Sequence, residues 1–344
     1  MAILVGACGD NHATSDGASD TAPGIDAPQL EPEPDADPLE PNDLMGTGLC
    51  LDATCATISP DVVTYTPRFP LWSDGATKRR WMYLPPGTKI DDSDPDHWVF
   101  PQGTKFWKEF TVDGVRVETR YIAKVGAAEA PGSWFYIAYQ WNTDMNATTA
   151  VPMGVQNADG TQHDIPSRQD CKTCHEDLTP GRVLGFQAIQ LDTATPVGLD
   201  DLVAMDLLTN PTLPDVGAHD EHYPIPGNDI TRAALGYMHV NCGHCHNDSS
   251  VIASETPLRL RLDTLHLDQV TDTPAYATTV NQIGSQIMEN NMTYQTIVIP
   301  QEPDDSVLIL RMNDPNPQIH MPNLGSEVVD PDGQVAIRAW INQL

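Results

Sequence analysis

Two short cysteine–histidine motifs are the residues of this chain best suited to chemistry. Cys171-Lys-Thr-Cys174-His175 and Cys242-Gly-His-Cys245-His246 each hold two thiols three positions apart, with a histidine directly after them. Thiols at this spacing can add to the two vinyl groups of one haem, and the adjacent imidazole then reaches its iron. The sequence therefore predicts two covalently bound haem c groups, with the histidine of each motif as an axial iron ligand.

Three other uses of these cysteines fit the sequence less well than haem attachment does. Zinc could be held by both pairs, but Cys174 and Cys242 are separated by about 67 residues, against about 15–20 in common zinc ribbons. A thioredoxin-like redox pair belongs at a helix start inside a βαβ unit, a pattern that the sequence does not predict here. Plain disulfides would not need a histidine after each pair, so haem c is the favoured interpretation.

The second motif has flanking elements that could position a haem. Apolar residues at near-helical spacing predict a helix over residues 228–240 and a terminal helix from about Gly333. Between them lies His320-Met321-Pro322. These features resemble a class I cytochrome c domain, and the resemblance implies that Met321 is the sixth iron ligand of the second haem. A packing role is the alternative for Met321.

The first motif lacks such a context. The residues before it, 162–170, look extended, and residues 200–209 predict a short helix. Met205, His163 and Met153 are the candidates for the sixth ligand of the first haem, and none of them lies in a recognisable ligand motif. That ligand is left open.

A tryptophan-rich region precedes the motifs. Six of the seven tryptophans lie between Trp72 and Trp141, and we expect an antiparallel β-domain there, either a sandwich or a partly open barrel. Stacking on a carbohydrate or a partner is one role for these rings, and core packing is the other. The acidic stretch Asp91–Asp96 could bind calcium, but it lacks the spacing of a known calcium loop and a solvated turn is favoured.

Individual strands of this region are readable from the sequence. Lys105–Val112 and Val115–Ile122 flank Asp113-Gly114, a strong signal for a two-residue hairpin turn. Residues 133–141 are rich in aromatic and β-branched side chains, which favours a third strand.

The N-terminus has the character of an export and anchoring segment. Residues 1–8, Met-Ala-Ile-Leu-Val-Gly-Ala-Cys, resemble the end of a bacterial lipoprotein signal, and the resemblance implies lipidation of Cys8. A basic start and a longer apolar core are missing, so either the true start lies upstream or the match is accidental. Residues 9–48 are acidic and proline-rich, which predicts an extended tether. Cys50 and Cys55 are expected to form a disulfide in an exported protein.

The charge balance limits the partners. The chain has 18 Lys and Arg against 48 Asp and Glu, a formal charge of −30. This argues against nucleic acid as a partner and favours a basic redox protein, although a halophilic or marine habit would explain the same charge. No apolar run approaches the roughly 20 residues that span a bilayer, so we expect membrane contact only through a lipid anchor.

Several stretches together resemble an uncharacterised family of exported bacterial di-haem c-type cytochromes. They are Leu71–Trp81, Trp98–Phe110, Ile165–His175, Asn241–Asn247 and Met321–Gly325. The resemblance covers about residues 60–344 and implies electron transfer, with no substrate assigned. It also implies an exported protein, either periplasmic or a lipoprotein of the outer membrane or cell surface of a Gram-negative bacterium.

We therefore expect a multidomain α+β chain. Its predicted parts are a lipoprotein-like tether over residues 1–48, a β-domain over 49–165, a first haem segment over 166–227 and a class I-like cytochrome c domain over 228–344. The favoured function is electron transfer between redox partners at the cell envelope. A di-haem peroxidase- or oxygenase-like enzyme with an open iron site at the first haem is the second hypothesis, and a β-domain that binds polysaccharide or a partner is the third. The oligomeric state is left open.

Overall fold

An antiparallel meander forms the first half of the described chain. The computed structural model describes residues 40–178, 183–193, 197–289, 292–323 and 325–344. Within them, six strands pair in chain order into one sheet: β1 (Val63–Thr64), β2 (Thr77–Tyr83), β3 (Lys105–Val112), β4 (Val115–Lys124), β5 (Trp134–Trp141) and β6 (Thr148–Ala150).

The strands match the sequence signals closely. Val112 pairs with Val115 across the turn, and Asp113 and Gly114 both take positive φ angles, 49° and 83°, as a tight hairpin turn requires. The predicted hairpin is therefore confirmed. A sandwich or barrel is not formed, since the other sheet in the described residues is a two-stranded hairpin of β7 (Ile283–Glu289) and β8 (Met292–Thr296).

Non-strand segments, rather than a second sheet, cover both faces of the meander. On one face, Leu44 and Leu49 are each 1% exposed and pack with a disulfide between Cys50 and Cys55. Their sheet partners are aromatic or aliphatic: Trp81, Trp107, Tyr121, Ile137, Tyr139 and Trp141. Residues 40–48, predicted to belong to an extended tether, are therefore folded, because they bury the apolar rings of this face. Cys8 and residues 9–39 lie outside the described residues.

The opposite face of the sheet packs against the segment that follows the first motif. Met82, Phe106 and Tyr136 share one core with Phe186 and Leu202. Phe186 lies edge-on to Phe106, with ring centroids 5.1 Å apart. This core crosses the boundary predicted between residues 165 and 166, so the sheet and the first motif segment are packed together.

Helices dominate the second half of the described chain. They are α1 (Arg168–Lys172), α2 (Ala188–Leu191), α3 (Leu199–Ala204), α4 (Asp229–Asn241), α5 (Pro274–Thr279), α6 (Val307–Asn313) and α7 (Pro331–Gln343). The two helices predicted around the second motif correspond to α4 and α7. Asn228 caps α4 by accepting the Thr231 N–H at 3.0 Å, which explains where that helix starts.

Helices α4 and α7 pack directly on each other. Met238, Leu235 and Trp340 lie in their shared core and are fully buried. A Cβ at Gly333 would stand 2.3 Å from the Tyr237 ring, so the close approach depends on a residue without a side chain. The architecture is an antiparallel sheet followed by packed helices, which confirms the α+β class.

Candidate functional site

The first motif is helical. Cys171 lies in α1, which begins with a capping box in which Ser167 and Asp170 exchange side-chain to backbone hydrogen bonds. The next turn, Thr173–Asp177, is π-helical and carries Cys174 and His175. Such wide turns recur at functional sites. The extended conformation expected over 162–170 is wrong for residues 168–170, because the cap starts the helix at Arg168; the residues before them are not helical, and Ile165 forms an antiparallel bridge with Val155.

The second motif turns sharply at the end of α4. The N–H groups of Cys242 and Gly243 both donate to the Met238 carbonyl at 2.9 Å, and the His246 N–H donates to the Cys242 carbonyl at 2.9 Å. A Cβ at Gly243 would stand 2.5 Å from the His239 carbonyl oxygen. The motif can make this turn because its second position is glycine.

The two motifs, far apart in sequence, meet in space. The Asn247 side-chain amide donates to the Leu178 carbonyl at 3.3 Å, which joins the residue after the second motif to the turn after the first. Burial raises the pKa of the Cys245 thiol to about 11, and the neighbouring Cys174 adds to this effect. The sulfur-bearing ends of the motifs are therefore neighbours.

Both motifs open onto one cavity of about 570 Å³. Its wall includes Cys171, Cys174, His175, His244 and Cys245. Strands β2, β3 and β4 supply another wall, and the lining also includes residues from segments 69–74, 153–156, 163–167 and 183–185, with Pro322, Asn323, Gly325 and Ser326. The volume falls in the range of about 300–1,000 Å³ that is usual for cofactor and ligand sites.

The thiols are neutral in this environment. Burial raises the pKa of Cys171 to about 11 and that of Cys242 to about 12. Burial also raises the pKa of Cys174, although Arg120 opposes the effect. All four cysteines of the motifs are free thiols and partly accessible, which is the form that adds to a vinyl group.

The histidines of the second motif are neutral as well. Burial lowers the pKa of His246 to about 4, with further contributions from Arg259 and Arg311. Burial likewise holds the pKa of His244 well below its usual value. Neutral imidazole is the form that binds metals. The His246 Nδ1 atom is buried and has no hydrogen-bond partner among the described residues.

Met321 lies in a small space beside the main cavity. It lines a pocket of about 10 Å³ with Trp72, Met312 and Tyr237. Its N–H donates to the Arg311 carbonyl at 3.0 Å, and Arg311 is also close enough to His246 to lower that residue's pKa. Met321 and His246 thus share Arg311 as a neighbour.

The three candidate ligands of the first haem have different positions. His163 lines the cavity, but its Nε2 atom is 2.7 Å from the Glu118 carboxylate. Met153 also lines the cavity and is 86% exposed. Met205 lies at the end of α3, is 41% exposed and does not line the cavity.

Some cavity residues were missed from the sequence. Arg80, Lys108 and Arg120 project from β2, β3 and β4 into the wall, and His244 lies between the cysteines of the second motif. A signal for the lysine was available, because Lys108 alternates with Phe106 and Phe110 along β3 and therefore shares a sheet face with these two buried rings.

The acidic stretch Asp91–Asp96 is a turn whose carboxylates bind protein groups. Asp96 accepts hydrogen bonds from the N–H and the hydroxyl of Thr264, both at 2.8 Å. Asp92 accepts from the Thr209 hydroxyl at 2.9 Å. Among the described side chains, no three His, Cys, Asp or Glu groups converge as a metal site.

The residues of the cavity fit a haem c group. Two neutral thiols and an imidazole stand on one wall, aromatic rings on another, and the space between them has the volume of a cofactor site. Cys171, Cys174 and His175 would hold such a group at the first motif. Cys242, Cys245 and His246 would hold the second, and of these three residues Cys245 lines the described cavity while Cys242 and His246 do not. Met321 lines the separate pocket of about 10 Å³, whose wall includes none of these three residues.

No family model matches this chain, and neither curated proteins nor solved structures give a match. In the ranges that the structure describes, no helix is both long and apolar enough to cross a bilayer.

Proposed function

We propose that this chain is an exported di-haem c-type cytochrome that passes electrons between redox partners at the cell envelope. The observation that carries the proposal is the meeting of both attachment motifs at one cavity. Cys174 and Cys245 are neighbours, and the Asn247 to Leu178 hydrogen bond holds the two motifs together. Groups attached to these thiols would lie close to each other.

When bound, each haem would supply an iron that takes up and releases one electron. The chain's own contribution is to attach, orient and shield these groups. The motif thiols would fix each macrocycle, the neutral imidazoles of His175 and His246 would bind iron, and Met321 is the proposed second ligand at the second site. The formal charge of −30 favours encounter with a basic partner.

The first experiment counts covalent haems on the full chain, produced in a host with haem c maturation. We expect the intact mass and the pyridine haemochrome spectrum to give two haems per chain. A Cys171→Ala/Cys174→Ala variant and a Cys242→Ala/Cys245→Ala variant should each retain one. A wild-type chain that carries fewer than two covalent haems would contradict the proposal.

A di-haem enzyme is the second candidate function. It is favoured by the room beside the first motif and by the engagement of His163 with Glu118, which leaves that imidazole committed to a carboxylate. Carbon monoxide binding to the reduced protein separates the two candidates. An electron carrier with two fully ligated irons should bind it slowly or not at all, whereas rapid binding at one haem favours the enzyme.

A further inference from the structure

Three cations stand side by side on the cavity face of the sheet. Arg80 on β2 is the register partner of Lys108 on β3, and Lys108 is the register partner of Arg120 on β4. All three line the cavity. Neighbouring strands are only about 4.8 Å apart, and like charges directly opposite each other destabilise a sheet. A row of three cations therefore needs anions near it.

Within the described ranges, one end of this cation row (Arg80, Lys108 and Arg120) has a carboxylate partner. Glu118 accepts hydrogen bonds from two nitrogen atoms of Arg120, from Nη2 at 2.6 Å and from Nε at 3.0 Å and 3.1 Å. In the described part of the chain, the side chains of Arg80 and Lys108 have no hydrogen bond or ion pair with another group. The Lys108 ammonium lies 4.9 Å from the centroid of the Phe110 ring, a contact that does not neutralise its charge.

The other carboxylates of the cavity wall already have partners in the fold. Asp74 accepts the Val328 N–H at 2.8 Å. Asp164 accepts the Asn157 N–H at 2.7 Å, and Asp170 accepts the Ser167 N–H at 2.9 Å. These acids hold loops in place. Among the described residues, none of these three acids forms an ion pair with Arg80 or Lys108.

The two unpaired cations are poorly solvated. Burial lowers the pKa of Lys108 well below its usual value, and the charges of Arg80 and Arg120 lower it further. Burial also lowers the pKa of Arg80. Glu118 raises the pKa of Lys108 but does not offset the effects of burial and of the neighbouring cations.

One end of the cation row lies nearer the first motif than the other end. Burial lowers the pKa of Arg120, but the Glu118 carboxylate raises it by more, and Cys171 and Cys174 also raise it, so that the pKa lies above its usual value. Arg120 on β4 is the register partner of Ala138 on β5, and the ring centroid of Tyr136 on β5 lies 5.4 Å from that of His175 in the first motif. Arg80 lies on β2, two strands farther from β5 than Arg120. The row therefore leads away from the thiols, from Arg120 through Lys108 to Arg80.

We propose that Arg80 and Lys108 bind the carboxylates of the haem that Cys171 and Cys174 hold. This inference rests on the proposed function. Haem carries its two propionates on a different edge of the macrocycle from the vinyl groups that form thioethers. The thiols of Cys171 and Cys174 would face the vinyl edge of the macrocycle, and Arg80 and Lys108, at the far end of the cation row, would face its propionate edge. Two cations without a partner among the described residues would then meet two carboxylates. Charge-assisted hydrogen bonds of this kind are strong and fix orientation.

The test compares Arg80→Gln, Lys108→Met and Lys108→Arg holoproteins with wild type. Lys89→Gln is the matched control, since Lys89 is a surface cation paired with exposed Asp206. Resonance Raman bands of propionate bending report the hydrogen bonding of the carboxylates. These bands should shift in Arg80→Gln and Lys108→Met, and should stay near their wild-type positions in Lys108→Arg and Lys89→Gln.

A redox titration provides the second readout. Loss of a nearby cation disfavours the reduced state, so the potential of one haem should fall in Arg80→Gln and Lys108→Met while the other stays constant. We expect a shift of about tenfold in the redox equilibrium constant, which is about 59 mV for one electron. Unchanged Raman bands and potentials in both variants, with two haems still attached, would overturn the assignment.

The same cations would also suit a small free oxyanion. Titration with inorganic phosphate distinguishes a free anion from the carboxylates of the haem. Saturable changes in the wild-type absorption spectrum that Arg80→Gln loses, together with unaltered propionate bands, would assign the row to a free anion and refute the haem carboxylates. If mass spectrometry finds no haem at Cys171 and Cys174 in wild type, the proposed function itself fails. If either variant does not fold, the other variant and Lys108→Arg still decide the question.

Discussion

The side-chain amide of Asn247 donates a hydrogen bond to the backbone carbonyl of Leu178 at 3.3 Å. It also donates to the carbonyls of Gly243 and His244, at 3.0 Å and 2.8 Å. Asn247 is 5% exposed and Leu178 is 8% exposed. One buried amide thus holds the turn of the second motif in shape and ties it to the end of the first.

Replacing this amide should loosen the junction of the motifs. Asn247→Ala leaves buried carbonyls without their donor, at a cost of about 1–3 kcal/mol in the free energy of unfolding. Urea denaturation of the holoprotein measures this loss, and redox titration should show an altered separation of the two midpoint potentials. Gln286→Ala removes an exposed amide and is the control, for which we expect no change in either quantity. Equal stability of the Asn247 variant would contradict the role given to this bond.

Gly243 should be required at the second position of its motif. An alanine Cβ there would stand 2.5 Å from the His239 carbonyl oxygen and 2.7 Å from the Arg261 Cα, and both are backbone atoms. We expect Gly243→Ala to cost about 1–3 kcal/mol and to reduce haem attachment at the second motif. Intact mass after expression with haem c maturation gives the haem count.

The first motif supplies the control for this substitution. Lys172 occupies the matching position between Cys171 and Cys174, and Lys172→Ala should leave both haems attached. Full haem loading and wild-type stability in Gly243→Ala would mean that the backbone at Arg261 can move away.

Met321 is predicted to be the sixth ligand of the second haem. Met321→Ala should remove the weak long-wavelength charge-transfer band that marks thioether ligation of ferric haem, and the reduction potential of that haem should fall because the soft neutral sulfur is lost. Visible spectra and a redox titration measure both effects.

Met312→Leu is the matched control for Met321, since Met312 lines the same small pocket but is 5% exposed and packs in the helical core. This near-isosteric change should preserve the band. A Met321→Ala protein that retains both the band and the potential would move the ligand assignment elsewhere.

Local signals explain how much of the fold was readable from the sequence. The Asp113-Gly114 turn and the apolar spacing of α4 each act within about a dozen residues, so their elements were predicted. The cavity depends on contacts between distant segments, such as Phe106 with Phe186, and no local pattern encodes them.

The cation row illustrates the same limit at the site. Arg80, Lys108 and Arg120 look like ordinary strand residues until the register places them in one line. The cysteine–histidine motifs stand out in the sequence because each matches a compact signature, whereas the side chains that surround them in the fold come from several strands and loops.

Buried His239 should make stability fall in acid. Burial lowers its pKa to about 3, and the charges of Arg261 and Arg68 add to the effect. Its Nδ1 atom accepts the Leu262 N–H at 2.9 Å, a bond that protonation of Nδ1 would break. An unfolded histidine titrates near pH 6.5. Between about pH 6.5 and 3 the unfolded chain therefore binds one more proton than the folded chain, and stability decreases as the pH falls through this window.

The contribution of His239 can be isolated by comparing pH slopes. Below about pH 6, the free energy of unfolding of wild type should fall by about 1.4 kcal/mol per pH unit more steeply than that of His239→Gln. Urea denaturation at several values between pH 7 and pH 4.5 measures both slopes. His266→Gln changes an exposed histidine, whose side chain is 52% accessible, and should retain the wild-type slope. If His239→Gln and wild type lose stability in parallel, His239 must already be protonated in the fold, and the Leu262 N–H must have another acceptor.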